Sequence, residues 1–80
     1  MTKKEVVKVI MKNILDNLED VKEEDIDLQK SMKDYGANSL DIIEVVSCSM
    51  RELKIKIPRT ELADINTIGQ LADTFMKYME

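Results

Sequence analysis

Apolar residues in this chain recur at steps of three and four along three separate stretches and at steps of two in one short place, which is the pattern of a helical protein. Val7, Ile10, Met11, Ile14 and Leu18 form the first face, over Lys3 to Leu18. The second helix starts at Asn38 or Ser39, either of which caps well, and runs to about Leu53. At about 100° per residue, Ile42, Val45, Val46, Ser49 and Leu53 share its core face, with Leu40, Glu44, Ser47 and Arg51 opposite. Ile43 and Met50 lie on a flank between the two, where apolar groups serve no core and offer a surface to a partner. The last face gathers Ile68, Leu71, Ala72, Phe75, Met76 and Met79 behind an Asn66-Thr67 cap.

The step of two falls on Lys54 to Ile57, and a single short strand without a second cannot make a sheet, so this segment reads as a loop. Pro58 suits the first position of a short helix over Arg59 to Asp64. The predicted fold is therefore all-α, with three long helices and one short. Glu19 to Asn38 is a long ordered loop with anchors at Val21, Ile26, Leu28 and Met32, closed by the turn-prone Tyr35-Gly36-Ala37-Asn38. Connections of that length are functional or pinned by apolar residues, and Asp25-Ile26-Asp27-Leu28 is the candidate pin. There is no internal repeat or low-complexity segment.

Eighty residues make one domain, residues 1–80, with one modest core. A lone Cys48 excludes an internal disulfide, and the absence of histidine leaves no cluster with zinc spacing, so helix packing alone must hold the fold. Sixteen acidic against twelve basic residues, net charge -4, oppose nucleic-acid binding and favour partners with basic patches. No apolar run approaches the ~20 residues of a membrane span, and Met1 to Lys12 lacks the order of a secretory signal. The expectation is a cytoplasmic monomer that binds neither nucleic acid nor membrane.

Catalysis is not expected. Without histidine neither a Ser-His nor a Cys-His pair can form, and Cys48 has only Arg51 as an activating cation, so it reads as a small structural residue. In Asp20-Val21-Lys22-Glu23-Glu24-Asp25, Lys22 stands where a calcium loop needs a ligand and the turn glycine is missing, leaving a solvated acidic loop. What remains is Gly36-Ala37-Asn38-Ser39-Leu40-Asp41, a loop-to-helix junction. Taken alone it is an ordinary helix start.

Gly36 to Leu40 resembles the Gly-x-Asp-Ser-Leu signature of the acyl carrier protein family, and the likeness covers essentially the whole chain. It includes a helix, a long loop, a serine-led helix with Asp41 and Glu44, a Lys-Ile-Pro segment at Lys56 to Pro58, a short helix and a last helix from Asn66-Thr67. The resemblance implies a four-helix bundle with 4'-phosphopantetheine on Ser39, placed there from coenzyme A by a phosphopantetheinyl transferase. The terminal thiol of the arm then holds an acyl group as a thioester, and the carrier performs no catalysis. A phosphodiester at Ser39 would face free amides and the positive end of a helix dipole. By the same resemblance partner enzymes, acyltransferases or ketosynthases, read Leu40, Asp41, Ile43, Glu44, Ser47 and Arg51 on the serine-led helix, and Arg59 beyond it. For Asp41 dipole complementation is an equal reading.

Two departures narrow the subtype. Asn38 replaces the family's usual aspartate, removing a charge that helps the transferase bind, and Met50, Arg51, Lys54, Lys56 and Arg59 fall in a region that is strongly acidic in fatty acid carriers. The run Ile57-Pro58-Arg59-Thr60-Glu61-Leu62-Ala63, then Ile68-Gly69-Gln70-Leu71-Ala72-Asp73, looks like the free-standing carriers of bacterial polyketide pathways. Those carriers hand acetyl to a synthase related to hydroxymethylglutaryl-CoA synthase, which builds β-branches. A plain surface role for Arg59, with Glu61 to Asp73 only folding one helix onto another, stays open. So do a fatty acid carrier and an unmodified helical adaptor in which Ser39 merely caps.

Overall fold

Each long helix starts on a reciprocal capping box: Thr2 with Glu5, Asn38 with Asp41, and Thr67 with Gln70. In each, the cap side chain takes an amide of the first turn while the third helical residue reaches back to the cap amide. The computed structural model describes residues 2–63 and 65–79, without the Arg59 side chain. Its helices are α1 (Lys3–Asn17), α2 (Ser39–Leu53), α3 (Arg59–Ala63) and α4 (Ile68–Lys77), and there is no strand among the described residues. The expected all-α architecture of three long helices and one short one is what forms. No described helix is long and apolar enough to cross a membrane.

α1 packs against α2 and α4 around a cluster in which Val6, Ile10, Ile14, Val45, Ser49, Ala72 and Phe75 are sealed from solvent. The buried face of α1 is turned from the expected one. Val6 and Asn13 lie inside, whereas Val7 and Met11 are half-buried. The reason lies on the facing helix: the Asn13 amide donates to Ser49 Oγ at 3.1 Å and to the Val9 carbonyl at 2.9 Å, so a polar side chain is satisfied inside the core.

The long loop is a fastened strap. It carries two short 3-10 turns, Glu23–Asp25 and Met32–Tyr35, with Met32 buried and Val21, Ile26 and Leu28 packed against the core as anchors. Tyr35 folds the acidic part onto itself, accepting from the Asp27 amide at 2.6 Å and donating to the Asp25 carbonyl at 3.0 Å. Downstream, the carbonyls of Leu28 and Lys30 take the Gly69 and Ile68 amides at 2.8 and 3.0 Å, so the strap closes the N-terminus of α4.

Two boundaries differ from expectation. Pro58 precedes α3 rather than opening it: its carbonyl accepts from the Glu61 and Leu62 amides, the cap's part. Asp64, expected at the end of that helix, lies outside the described residues. α2 closes on Lys54 in the left-handed region (φ 58), where the Lys54 and Ile55 amides return to the Arg51 and Met50 carbonyls. Lys54 to Ile57 is a loop, as expected.

Candidate functional site

The loop-to-α2 junction passes from a 3-10 turn through one left-handed glycine into α2. Ser31 and Asp34 cap the 3-10 turn before it, Gly36 stops that turn at φ 87, and Ala37 is tucked into the core. The chain then enters α2 through Asn38, whose Oδ1 accepts the Asp41 amide at 2.8 Å while Asp41 Oδ2 accepts the Asn38 amide at 3.1 Å. The cap is thus Asn38 alone. Ser39, expected to cap as well, is the first helical residue and is exposed, its hydroxyl outside the capping box.

The first turns of α2 and α4 differ in one respect that bears on anion binding. In α4 the strap and Thr67 occupy the first three amides. In α2 only the third, on Asp41, has a partner among the described residues, and the Ser39 and Leu40 amides are left to solvent. Free amides at the positive end of a fifteen-residue helix suit a phosphate diester on the adjoining hydroxyl.

Beside α2, from Ile42 onward, runs an open groove of about 750 Å³ with a largely apolar lining. Ile42, Val46 and Met50 of α2 line it together with Ile57, Leu62 and Ile65 from the later segments and with Met32 and Ile68. Ser31, Lys33, Asn66 and Thr67 give it a polar margin. Sequence reasoning did not find this groove, because its walls come from four segments distant in sequence. Only the flank position of Ile43 and Met50 hinted at it.

The expected partner residues are mostly brought together. Leu40 is 76% and Ile43 59% exposed, the two large hydrophobics most open to solvent among the described residues, and Glu44 and Arg51 are exposed along the same helix. Ser47 is half-buried at the margin of the groove rather than fully outward. Asp41 is half-buried and committed to the capping box. The Arg59 side chain lies outside what is described.

The surroundings of Cys48 disfavour its thiolate. Partial burial pushes its thiol up from the ordinary value, and the Sγ–Glu44 Oε1 hydrogen bond of 3.5 Å and the Glu44 charge push the same way. No metal-binding cluster of histidine, cysteine or carboxylates occurs among the described residues.

The site residues suit a phosphopantetheine arm. Ser39 offers an accessible hydroxyl, the Ser39 and Leu40 amides an anion-tolerant setting, and the groove an apolar bed beside it. Comparison with known proteins agrees. The family described as "Phosphopantetheine attachment site" matches residues 9–75. The polyketide biosynthesis acyl-carrier-protein AcpK of Bacillus subtilis is 30% identical, over 91% of this chain and 89% of that protein. An acyl carrier protein of Wolinella succinogenes is 33% identical, over 95% of this chain and 90% of its own length. Among solved structures, the curacin biosynthetic pathway HMG synthase in complex with acetyl donor-ACP contains a chain that superposes with a TM-score of 0.83. Its identity is 33%, over 94% of this chain and 96% of that one.

Proposed function

The chain belongs to the phosphopantetheine-attachment family of acyl carrier proteins, and from that premise we propose that Ser39 bears the arm, with residues 1–80 acting as one carrier domain. We further propose that it serves polyketide assembly as an acetyl donor to a synthase of the hydroxymethylglutaryl-CoA synthase type. The observation that carries the assignment of Ser39 is its place as the exposed first residue of α2, its hydroxyl free of the capping box that Asn38 and Asp41 complete.

When attached, the phosphopantetheine supplies a thiol at the end of a long arm, where an acyl group is held as a thioester. The chain's own part is to hold and present. The Ser39 and Leu40 amides would face the phosphate, and Asn38 and Asp41 fix the backbone of the first turn from which the Ser39 hydroxyl projects. Leu40 and Ile43 give a docking enzyme apolar contact next to the arm, and Glu44 meets a basic side chain. Exchange between a transferase, an acyltransferase or ketosynthase, and the synthase requires contacts of this small, charge-tuned kind.

The polyketide assignment is supported by the likeness to the polyketide carrier AcpK and to the curacin acetyl-donor carrier, and by charge. Arg51, Lys54 and Lys56 are exposed and outside the three ion pairs of the described residues, Lys3–Asp73, Lys12–Glu52 and Lys77–Glu61. A partner evolved for an acidic carrier would meet these cations unfavourably.

Intact mass after incubation with coenzyme A, magnesium and a broad-specificity phosphopantetheinyl transferase tests the first part. A gain of one phosphopantetheine, absent in Ser39→Ala, is expected. No gain with several transferases would return Ser39 to the role of a helix residue and favour the adaptor reading. Acetyl transfer from the loaded chain to an HMG-synthase-type enzyme, compared with a fatty acid ketosynthase, tests the second part.

A further inference from the structure

The chain has four asparagines, and the fold treats one of them differently. An asparagine loses its side-chain amide when the backbone nitrogen of the next residue attacks Cγ, so that nitrogen must be free and its own side chain must not crowd the approach. Asn13 is buried in α1, and the Ile14 amide after it belongs to the helix ladder. Asn17 ends α1, where the Leu18 amide donates to the Ile14 carbonyl at 2.9 Å and Asn17 Nδ2 donates to the Asn13 carbonyl at 2.8 Å. Asn66 is exposed, but the Thr67 amide donates to Gln70 Oε1 at 3.2 Å, and Thr67 is β-branched. Asn38 is exposed as well, and among the described residues neither its Nδ2 nor the Ser39 amide has a partner.

The capping box adds a second feature. Asn38 Oδ1 accepts the Asp41 amide at 2.8 Å, which places a donor on the very oxygen that becomes an oxyanion when Cγ is attacked. The attacking nitrogen reacts as an anion, and the positive end of α2 favours that form. Asn38 lies outside the helix with extended backbone (φ -92, ψ -179). Closing the ring turns this ψ and disturbs the bonds of the cap alone, including that of the Ile42 amide to the Asn38 carbonyl at 3.0 Å. Helix ends open readily, and a capping contact protects by about fivefold. Asn13 and Asn17 would have to unwind α1 instead.

We propose that Asn38 is a site of spontaneous deamidation in the unloaded chain, and that the arm closes it. The Ser39 nitrogen gives its proton to hydroxide and bonds to Asn38 Cγ, the bond from Cγ to Nδ2 breaks, and Nδ2 leaves as ammonia. Water then opens the five-membered imide. Cleavage of the new Cγ–N bond gives aspartate, and cleavage at the main-chain carbonyl gives isoaspartate, whose backbone runs through the side chain. Aspartate puts the family's usual residue before Ser39, whereas isoaspartate adds an atom to the main chain and takes the cap apart. A phosphodiester on Ser39 engages the Ser39 amide and repels the attacking anion, so a loaded chain keeps asparagine at position 38. That protection rests on the carrier reading; the deamidation does not.

The test is incubation of the folded apo protein for days at mildly alkaline pH, beside the same protein loaded with phosphopantetheine and beside Asn38→Gln, whose longer side chain closes the imide ring poorly. Intact mass follows the replacement of ammonia by water. Peptide mapping, with Asn38→Asp as the standard, places each event and separates aspartate from isoaspartate. Asn38 is expected to react first, about tenfold or more ahead of Asn66, and to slow about fivefold or more in the loaded chain. Asn38→Gln should lack the early event. A first event at Asn13, Asn17 or Asn66, an Asn38 that stays intact, or equal rates in apo and loaded protein would each overturn the proposal. The ranking of the four positions is read within one folded chain and depends on no variant. Failure of Ser39 to load is a separate result, seen as a missing phosphopantetheine mass, and leaves the apo protein to decide the site.

Discussion

Gly69 donates its amide to the Leu28 carbonyl at 2.8 Å, and a Cβ on Gly69 would stand 3.0 Å from that same oxygen. Backbone therefore lies against backbone, and nothing at the far end of a flexible side chain can yield. Helix propensity favours alanine over glycine by about 1 kcal/mol. Against this, Gly69→Ala pushes the strap away and weakens two hydrogen bonds, Gly69 to Leu28 and Ile68 to Lys30, worth about 1 kcal/mol each. Including the local strain, a net loss of about 1 kcal/mol is expected, seen as a melting point lower by about 4–8 °C. Faster exchange of the amides at 68 and 69 should accompany it. A higher melting point would show that the strap yields without cost.

Asn13 and Ser49 form the polar contact inside the core, joining α1 to α2 at 3.1 Å. Removing one partner leaves the other with less than its due. Asn13→Ala also opens a cavity, so it should cost about 2–3 kcal/mol, and Ser49→Ala about 1 kcal/mol. Asn13→Leu with Ser49→Ala replaces both polar groups by apolar ones and should lie closer to the parent than Asn13→Leu alone. Chemical denaturation of the four proteins of that cycle gives the coupling. Strict additivity would mean that the two side chains do not act as a pair.

Cys48 should be the slower of two thiols in the loaded protein. Its pKa is raised, by partial burial first and by Glu44 second, so less of it is thiolate at a given pH and its alkylation profile moves to higher pH. Near pH 8 iodoacetamide should therefore label the arm before Cys48. Glu44→Gln removes the carboxylate and should bring the Cys48 profile back down in pH, leaving the part due to burial and the smaller, opposed effects of Arg51 and Asp16. Mass spectrometry of labelled peptides over pH 7–10 on both proteins reads this directly. Equal rates for arm and cysteine would contradict the assignment.

The faces of α2 were legible because a helix fixes its angles locally. Val45, Val46, Ser49 and Leu53 are inside and Leu40 outside, as their spacing required, while Ile42, expected on the core face, is half-buried in the groove lining and Ile43, expected on the flank, is exposed. α1 was read a step out of turn because the burial of Asn13 depends on Ser49, thirty-six positions away, which periodicity does not see. The strap was recognised as ordered and its anchors as apolar, yet its closure of α4 joins Leu28 to Gly69 through backbone atoms that leave no side-chain signal. The choice between Asn38 and Ser39 as cap was available in principle. Asn38-x-x-Asp41 completes a capping box and Ser39-x-x-Ile42 does not.

That division of labour at the junction makes Asn38 a residue whose structural and functional parts can be separated. Its Oδ1 holds the Asp41 amide at 2.8 Å, so Asn38→Ala should cost about 1 kcal/mol. Asn38→Asp keeps an acceptor in the same place and adds a negative charge at the positive end of α2, a gain of about 0.3–1 kcal/mol. The nearby Asp41 carboxylate offsets part of it, and the stability of this variant should stay within about 0.5 kcal/mol of the parent. Loading should respond differently. A transferase that steers carriers by a basic entrance is attracted by the introduced carboxylate and not by the neutral amide of Asn38, so kcat/KM for loading should rise severalfold in Asn38→Asp and lose that advantage at high salt. Asn38→Ala, with the hydroxyl of Ser39 intact but the first turn loosened, should load more slowly than the parent at every salt concentration. Equal loading of all three proteins would show that the transferase reads neither the charge at position 38 nor the order of the first turn, leaving the exposed hydroxyl and Leu40 as its only handles.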